Sequence, residues 1–293
     1  MQANLMLLLA AAIWGLGFVA QRLGMDHLGP YSFNGLRFFI GAFSLLPLIW
    51  WYRHQGKLQD VDWKLLLWAG LPVGVLLFIA ASLQQVGLLY TTAANAGFIT
   101  GLYIVLVPLL GIFLRHKISG NIWLGCAIAV VGLYILSVGD NFSVNFGDLL
   151  QLIGAFFWAA HLLTIDHYSK KVPPILLACL QFVVCGVLSM LVAFSIETPT
   201  VTNALLAWKS VLYAGVVSVG IAYTLQVMAQ KHAHPAHAAI ILSLETVFAA
   251  IGGVWMLGEE LSSRALTGCG LMLLGMLVSQ LPLRWLLRSK AFT

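Results

Sequence analysis

Apolar residues run along this chain in long stretches, and most polar residues sit in short gaps between them. A helix needs about 20 apolar residues to cross a hydrocarbon core of ~30 Å, whereas the strands of a membrane barrel alternate in segments of about ten. The runs here do not alternate. They predict helices near residues 4–22, 31–51, 65–88, 93–114, 121–138, 148–166, 174–194, 208–229, 236–257 and 265–284. Turn signals mark the gaps at Gly29-Pro30, Gly56, Gly120, Gly139-Asp140, Pro173-Pro174, Pro199 and Pro235. Only Thr91 and Thr92 mark the break at 89–92.

The second half of the pattern repeats the first. Trp14 falls on Trp158, and Gly35–Phe39 on Cys179–Val183, at one offset. Gly97 and Gly101 fall on Ala239 and Ser243; Leu124–Cys126 falls on Thr267–Cys269, and Gly132 on Gly275. Two repeats, 1–139 and 140–293, follow, with five spans in each. An odd number of spans inserts the two copies in opposite senses. Inverted repeats of this kind accompany a binding site near mid-membrane at their interface. The small residues spaced four apart let helices approach closely in lipid, which is a packing role first. Their matching places hint that the fourth and ninth spans meet.

Composition agrees with the pattern. The chain is 61% hydrophobic and 9% charged, against about 25% charged for soluble domains. The fold class expected is therefore an all-α integral membrane protein of ten helices. The formal charge of +5 is scattered over helix ends, which argues against a nucleic-acid partner. The N-terminal MQANLMLLLA has no basic residue before its apolar run, so it reads as a retained first span and not a signal peptide. The four cysteines lie inside apolar runs without CxxC spacing, as packing residues do. Eleven basic residues fall on the termini and even-numbered loops and three on the other loops. That bias places both termini in the cytoplasm of a bacterial-type plasma (inner) membrane.

Two charges stand inside the apolar runs. Glu245 lies about nine residues into the ninth span, or ~14 Å deep, and Arg37 about six residues into the second from the opposite face, or ~9 Å. An arginine is long enough to close the remaining height difference, so the two form a candidate ion pair. Ionisable residues at this depth are functional by default, as substrate or proton ligands, but a brace between helices is the competing reading. In the repeat, Gln181 takes the place of Arg37 and Tyr103 that of Glu245. Neither charge is therefore required by the duplicated scaffold.

Other candidates for substrate binding or coupling are Trp14, Tyr103, Trp158, His161, Asn95, Gln84, Tyr223 and His237. His237, Ile241, Glu245 and Ala249 share a helix face at successive i, i+4 steps, and His161 follows Trp158 by three residues. Intramembrane amides are more often interhelical hydrogen bonds than ligands, yet Asn34, Gln84, Gln85, Asn95, Gln181, Gln226 and Gln230 are many for a lipid-facing bundle. Aromatics inside the spans would suit apolar, aromatic or cationic substrates. Trp50, Trp51 and Trp285 read as interface anchors. His232, His234 and His237 flank Pro235, with no Cys or Asp to complete a metal shell, and read as a short basic loop. No cofactor is expected. The chain has no Walker A, HExxH or GxSxG motif, and Glu259 and Glu260 beside Arg264 read as a solvated helix end.

The chain resembles the EamA-type members of the drug/metabolite transporter superfamily over essentially its whole length. The stretches that carry the resemblance are WGLGFVAQ from Trp14, GPYSFNGLRF from Gly29, ANAGFITGLYIVLVP from Ala94 to Pro108, LSLETVFAA from Leu242 and LGEELS from Leu257. The resemblance implies two inverted five-helix repeats around a central cavity and movement, often outward, of small metabolites such as amino acids or of drug-like compounds. Thr246 stands where the family often has a proline after the glutamate. A secondary transporter working by alternating access is the reading. A channel would show a repeated filter or a ring of charges, and a membrane enzyme a catalytic motif. The expected partners are a small-molecule substrate, the lipid bilayer and protons as the coupling ion; oligomeric state is left open.

Overall fold

Capping residues and prolines set the helix boundaries. The computed structural model describes residues 2–91, 93–116, 118–137, 145–248, 251 and 262–280, apart from the side chains of 19, 93–95, 98, 136, 137, 265 and 280. The helices are α1 (Gln2–Gly24), α2 (Pro30–Ser44), α3 (Leu46–His54), α4 (Trp63–Gly87), α5 (Ala93–Gly101), α6 (Tyr103–Phe113) and α7 (Gly120–Ser137). They continue as α8 (Phe146–Ser169), α9 (Pro174–Ile196), α10 (Val201–Leu206) and α11 (Trp208–Leu212), which runs through a π-helical stretch, Tyr213–Tyr223, into α12 (Thr224–Gln230). α13 (Pro235–Leu242) and α14 (Ser263–Gln280) follow. Pro30, Pro174 and Pro235 open their helices, where a missing N–H costs nothing. Asp62 accepts from Leu65 N at 2.9 Å. Asn145 and Asp148 exchange two bonds in a capping box at the start of α8.

Five helical segments are long and apolar enough to cross a membrane: 30–54, 63–87, 146–169, 174–196 and 208–230. Shorter apolar helices occupy 2–18, 99–113, 120–135, 235–248 and 266–279. These positions coincide with the segments that the hydrophobic pattern predicts, and no strand occurs among the described residues. The ends of the ninth and tenth predicted spans, with Glu259, Glu260 and Trp285, lie outside the described residues. Trp50 and Trp51 are 62% and 48% exposed at the end of α3.

Besides the second, which turns at Leu45 just before Pro47, two segments expected to be continuous are interrupted. The fourth breaks at Leu102, and its helix then runs on through Pro108. The ninth breaks at Ser243-Leu244, directly before Glu245. No proline stands at either break. At Leu102 the backbone tightens to three-residue hydrogen bonds, Leu102 N to Ile99 O at 3.1 Å and Val105 N to Leu102 O at 3.0 Å. At Ser243 the hydroxyls take part: Ser243 Oγ donates to Ile240 O, and Thr246 Oγ1 to Ser243 O, each at 2.9 Å. Such back-bonding competes with the helix ladder and bends it. In the alignment of the two halves expected from sequence, these two breaks fall on matching positions.

Helix packing gathers the ends of the segments into two layers. At one end, where α1 begins, Asn121 Nδ2 donates to Ser279 O at 2.7 Å, and the His116 and His234 rings are 5.9 Å apart. At the other, Glu197 at the end of α9 accepts from the amides of Tyr31 and Ser32 at 2.9 and 2.8 Å. It thereby satisfies donors that the start of α2 leaves unpaired. Thr91 Oγ1 donates to Asp148 there at 2.5 Å. α7 and α14 approach closely: a Cβ on Gly275 would lie 2.6 Å from Gly125 O, and one on Gly132 2.7 Å from Gly268 O. The fourth and ninth segments meet too, since a Cβ on Gly97 would lie 3.6 Å from Thr246 Cγ2.

Candidate functional site

Both interruptions point at one buried cavity. Each stands immediately before a residue that lines it, Tyr103 on α6 and Glu245 beyond α13. The Tyr103 hydroxyl lies within reach of the Glu245 carboxylate. The two residues that the sequence alignment of the halves pairs thus lie side by side in the cavity wall. Trp14 and Phe18 of α1, Arg37 of α2, Gln84 of α4, Trp158 of α8 and Tyr223 of the π-helical stretch complete much of the wall.

Tyr223 is the hub of an aromatic box. Its ring is 4.5 Å from Trp14, 6.2 Å from Trp158 in a stacked arrangement, and 6.1 Å from Phe38. The Trp14 indole N–H donates to Ser218 O at 3.1 Å, which fixes α1 against the π-helical stretch. Wide helical turns of this kind are frequent at functional sites.

Arg37 is 2% exposed and its guanidinium lies over the Phe38 and Phe33 rings, at 5.0 and 5.7 Å. Its Nε and Nη2 have no hydrogen-bond partner in the protein. The expected Arg37–Glu245 ion pair does not form. Both residues line the cavity, yet the one ion pair among the described residues is Lys170–Asp166 at 2.7 Å. Depth along the span had placed the two charges at bridgeable heights, but it says nothing about where their helices stand around the cavity. Three further residues that line the cavity carry a buried polar atom without a protein partner: Trp158 Nε1, Gln21 Oε1 and Gln226 Oε1.

The cavity measures about 50 Å³. One water needs ~10–15 Å³ on this scale, so it has room for a few waters and not for an amino acid. On the side where α1 begins, a vestibule of about 1020 Å³ opens between α1, α7, α12, α13 and α14. His237 lines the vestibule and Leu242 the cavity; five helical residues, or ~7.5 Å, separate them. Leu7, Ala10, Ile240 and Ile241, all 0–1% exposed, pack in one cluster between the two spaces. Phe18, Leu88 and Ala96 form a second buried cluster at the opposite end of the cavity.

Seven of the residues expected from sequence therefore line one space: Trp14, Arg37, Gln84, Tyr103, Trp158, Tyr223 and Glu245. His161 does not line it. Its Nε2 pairs with Gln181 Oε1 at 2.8 Å, behind Trp158. His237 faces the vestibule, where Nδ1 and Ser279 Oγ are 3.0 Å apart. The side chain of Asn95 lies outside the described residues. His232 and His234 also line the vestibule, where burial, and then the His116 ring, hold His234 below the usual histidine range. Its neutral Nδ1 accepts from Ala236 N at 3.3 Å and caps α13. Gln21, Thr100 and Ser218 line the cavity without having stood out in the sequence. The one signal for Ser218 is a run of small residues along its helix.

The EamA-like transporter family model matches the chain twice, over residues 1–138 and 145–280. An uncharacterised transporter of Archaeoglobus fulgidus is 34% identical over 95% of this chain and 86% of its own. A probable amino-acid metabolite efflux pump of Escherichia coli is 28% identical over 56% of this chain and 52% of its own. One crystal structure superimposes over 99% of both chains with a TM-score of 0.78 at 19% identity, which shows a shared fold. The chain belongs to the EamA-like transporter family and is a multi-pass membrane transporter, not an enzyme.

Proposed function

We propose that the protein is a secondary-active exporter of small zwitterionic metabolites such as amino acids, working by alternating access around the cavity of Arg37 and Glu245. One observation carries this reading: the wall holds both a guanidinium with unpartnered N–H groups and a carboxylate, and the two do not pair. Buried polar groups are nearly always satisfied, and a bound substrate is one explanation for an exception. The Arg37 and Trp158 donors suit a carboxylate. Glu245 with the amide oxygens of Gln21 and Gln226 suits an ammonium. The box of Trp14, Trp158 and Tyr223 suits an apolar side chain or a cation. The name of the Escherichia coli relative accords with amino-acid metabolites as substrates.

Ten membrane crossings in two inverted repeats, 1–139 and 140–293, fit the alternation of apolar segments between two layers of ends, the double family match and the equivalent breaks at Leu102 and Ser243-Leu244. The bias of basic residues supports cytoplasmic termini in an inner membrane, and the vestibule would then face the cytoplasm. A cavity closed at both ends by packed side chains favours a transporter over an open pore. Substrate would enter as the thin Leu7–Ile241 layer parts. Glu245 is the coupling carboxylate, protonated and released in turn with substrate.

The test is counterflow by purified protein in liposomes against a panel of amino acids, nucleosides and cationic drugs. Amino-acid exchange driven by an imposed pH gradient is expected, and Glu245→Gln should exchange substrate without responding to the gradient. An unchanged pH response in that variant removes the coupling role. Exchange of cationic drugs with no exchange of zwitterions would refute the substrate class.

A further inference from the structure

We propose that a second site, on the side where α1 begins, holds the phosphate headgroup of an anionic phospholipid. A cleft of about 300 Å³ opens between the turn after α3, the turn joining α8 to α9, and the end of α12. Lys57, Lys170, Lys171 and Lys231 stand around it, drawn from three separate parts of the chain. No carboxylate lines it among the described residues.

Only one of the four lysines is neutralised in place. Asp166 pairs with Lys170 at 2.7 Å. Lys171 Nζ meets the ring Nε2 of His167 at 2.6 Å. Lys57 lies over the Tyr52 and Trp51 rings at 5.0 and 5.4 Å. Lys57, Lys171 and Lys231 therefore have no carboxylate partner among the described residues. Asp62, in the adjoining loop, is engaged in capping α4.

The position favours a lipid over a soluble anion. The cleft lies at the ends of the apolar helices, beside the exposed Trp50 and Trp51, at the level where aromatic residues sit at membrane–water interfaces. Leu58, Val172, Ile175 and Met228 form the apolar part of its wall, suited to the glycerol and upper acyl carbons. Basic pockets between membrane helices bind anionic headgroups by this combination.

Native mass spectrometry of the purified full chain tests the site, with phosphatidylglycerol and phosphatidylcholine of matched acyl chains at equal concentration. Phosphatidylglycerol is expected to be retained preferentially. Lys57→Gln/Lys171→Gln/Lys231→Gln should weaken that retention about fivefold for each lysine removed. The triple change to Arg should keep it. Should the triple Gln variant fail to fold, Lys171→Gln alone is expected to show the single fivefold step. Equal retention of the two lipids, or unchanged retention in the Gln variants, overturns the proposal. So does inorganic phosphate that displaces phosphatidylglycerol at millimolar concentration, because the site would then belong to a soluble anion.

Discussion

Replacing Arg37 with Met separates a substrate ligand from a structural brace. The change keeps an unbranched, flexible side chain, two atoms shorter than arginine's, and removes the charge. Burying an ion costs several kcal/mol after relaxation. In this protein, the visible compensation is two aromatic rings, at 5.0 and 5.7 Å from the guanidinium carbon, worth about 0.5–2 kcal/mol each. With Nε and Nη2 unpartnered, removing the charge should leave stability unchanged or raise it by ~1–4 kcal/mol, the range seen when buried ions give way to apolar residues. At about 2–4 °C per kcal/mol, the substrate-free melting temperature should hold steady or rise by up to ~15 °C. Transport should fail in the same variant. Two charge-assisted hydrogen bonds to a carboxylate contribute about 1.5 kcal/mol or more each, so the apparent affinity should fall by ~100-fold or more. Thermal unfolding in detergent and counterflow in liposomes read the two effects. A melting temperature lower by more than ~6 °C, with affinity retained, would refute the reasoning, because breaking a buried brace costs about 3–5 kcal/mol.

Two further changes probe the scaffold. Thr246→Pro should cost only about 1 kcal/mol, since the Thr246 amide makes just a 3.3 Å bond to Ser243 O at a helix that is already broken; Ile241→Pro, inside α13, should cost ~3 kcal/mol or more. Equal losses in urea or thermal unfolding would deny the break. Gly275→Ala should destabilise by about 1–3 kcal/mol, because its Cβ would meet Gly125 O at 2.6 Å. Gly270→Ala, with nothing within 4 Å of the added Cβ, should instead stabilise α14 by about 0.5–1 kcal/mol. Similar effects at both glycines would contradict the close approach of α7 and α14.

The helical segments were legible because the bilayer demands long apolar runs, and Pro30, Pro174 and Pro235 mark where three of them begin. The cavity was partly legible, because a charge such as Arg37 or Glu245 stands out against an apolar run. The breaks before Tyr103 and Glu245 were not. They depend on the hydroxyls of Ser243 and Thr246 and on tight backbone turns, while Pro108, the conspicuous residue, sits inside an intact helix. The same break explains His237. Eight residues before Glu245 on an unbroken helix it would share that face, but with the helix interrupted at Ser243 it looks into the vestibule instead. His161 left the site because Gln181, the counterpart of Arg37, turned out to be its partner. Pairings between helices depend on how each helix is rotated, and a single sequence does not encode that in its spacing.

Alternating access is tested most directly by labelling one cavity position from both sides of the membrane. Ser218 lines the cavity and is 4% exposed. A Ser218→Cys variant, with Cys126, Cys179, Cys185 and Cys269 replaced by Ser or Ala, would be placed in vesicles of known orientation and treated with a membrane-impermeant thiol reagent. The account predicts labelling from each side in turn, with saturating substrate shifting the ratio between them. Labelling from one side alone, with and without substrate, would contradict it.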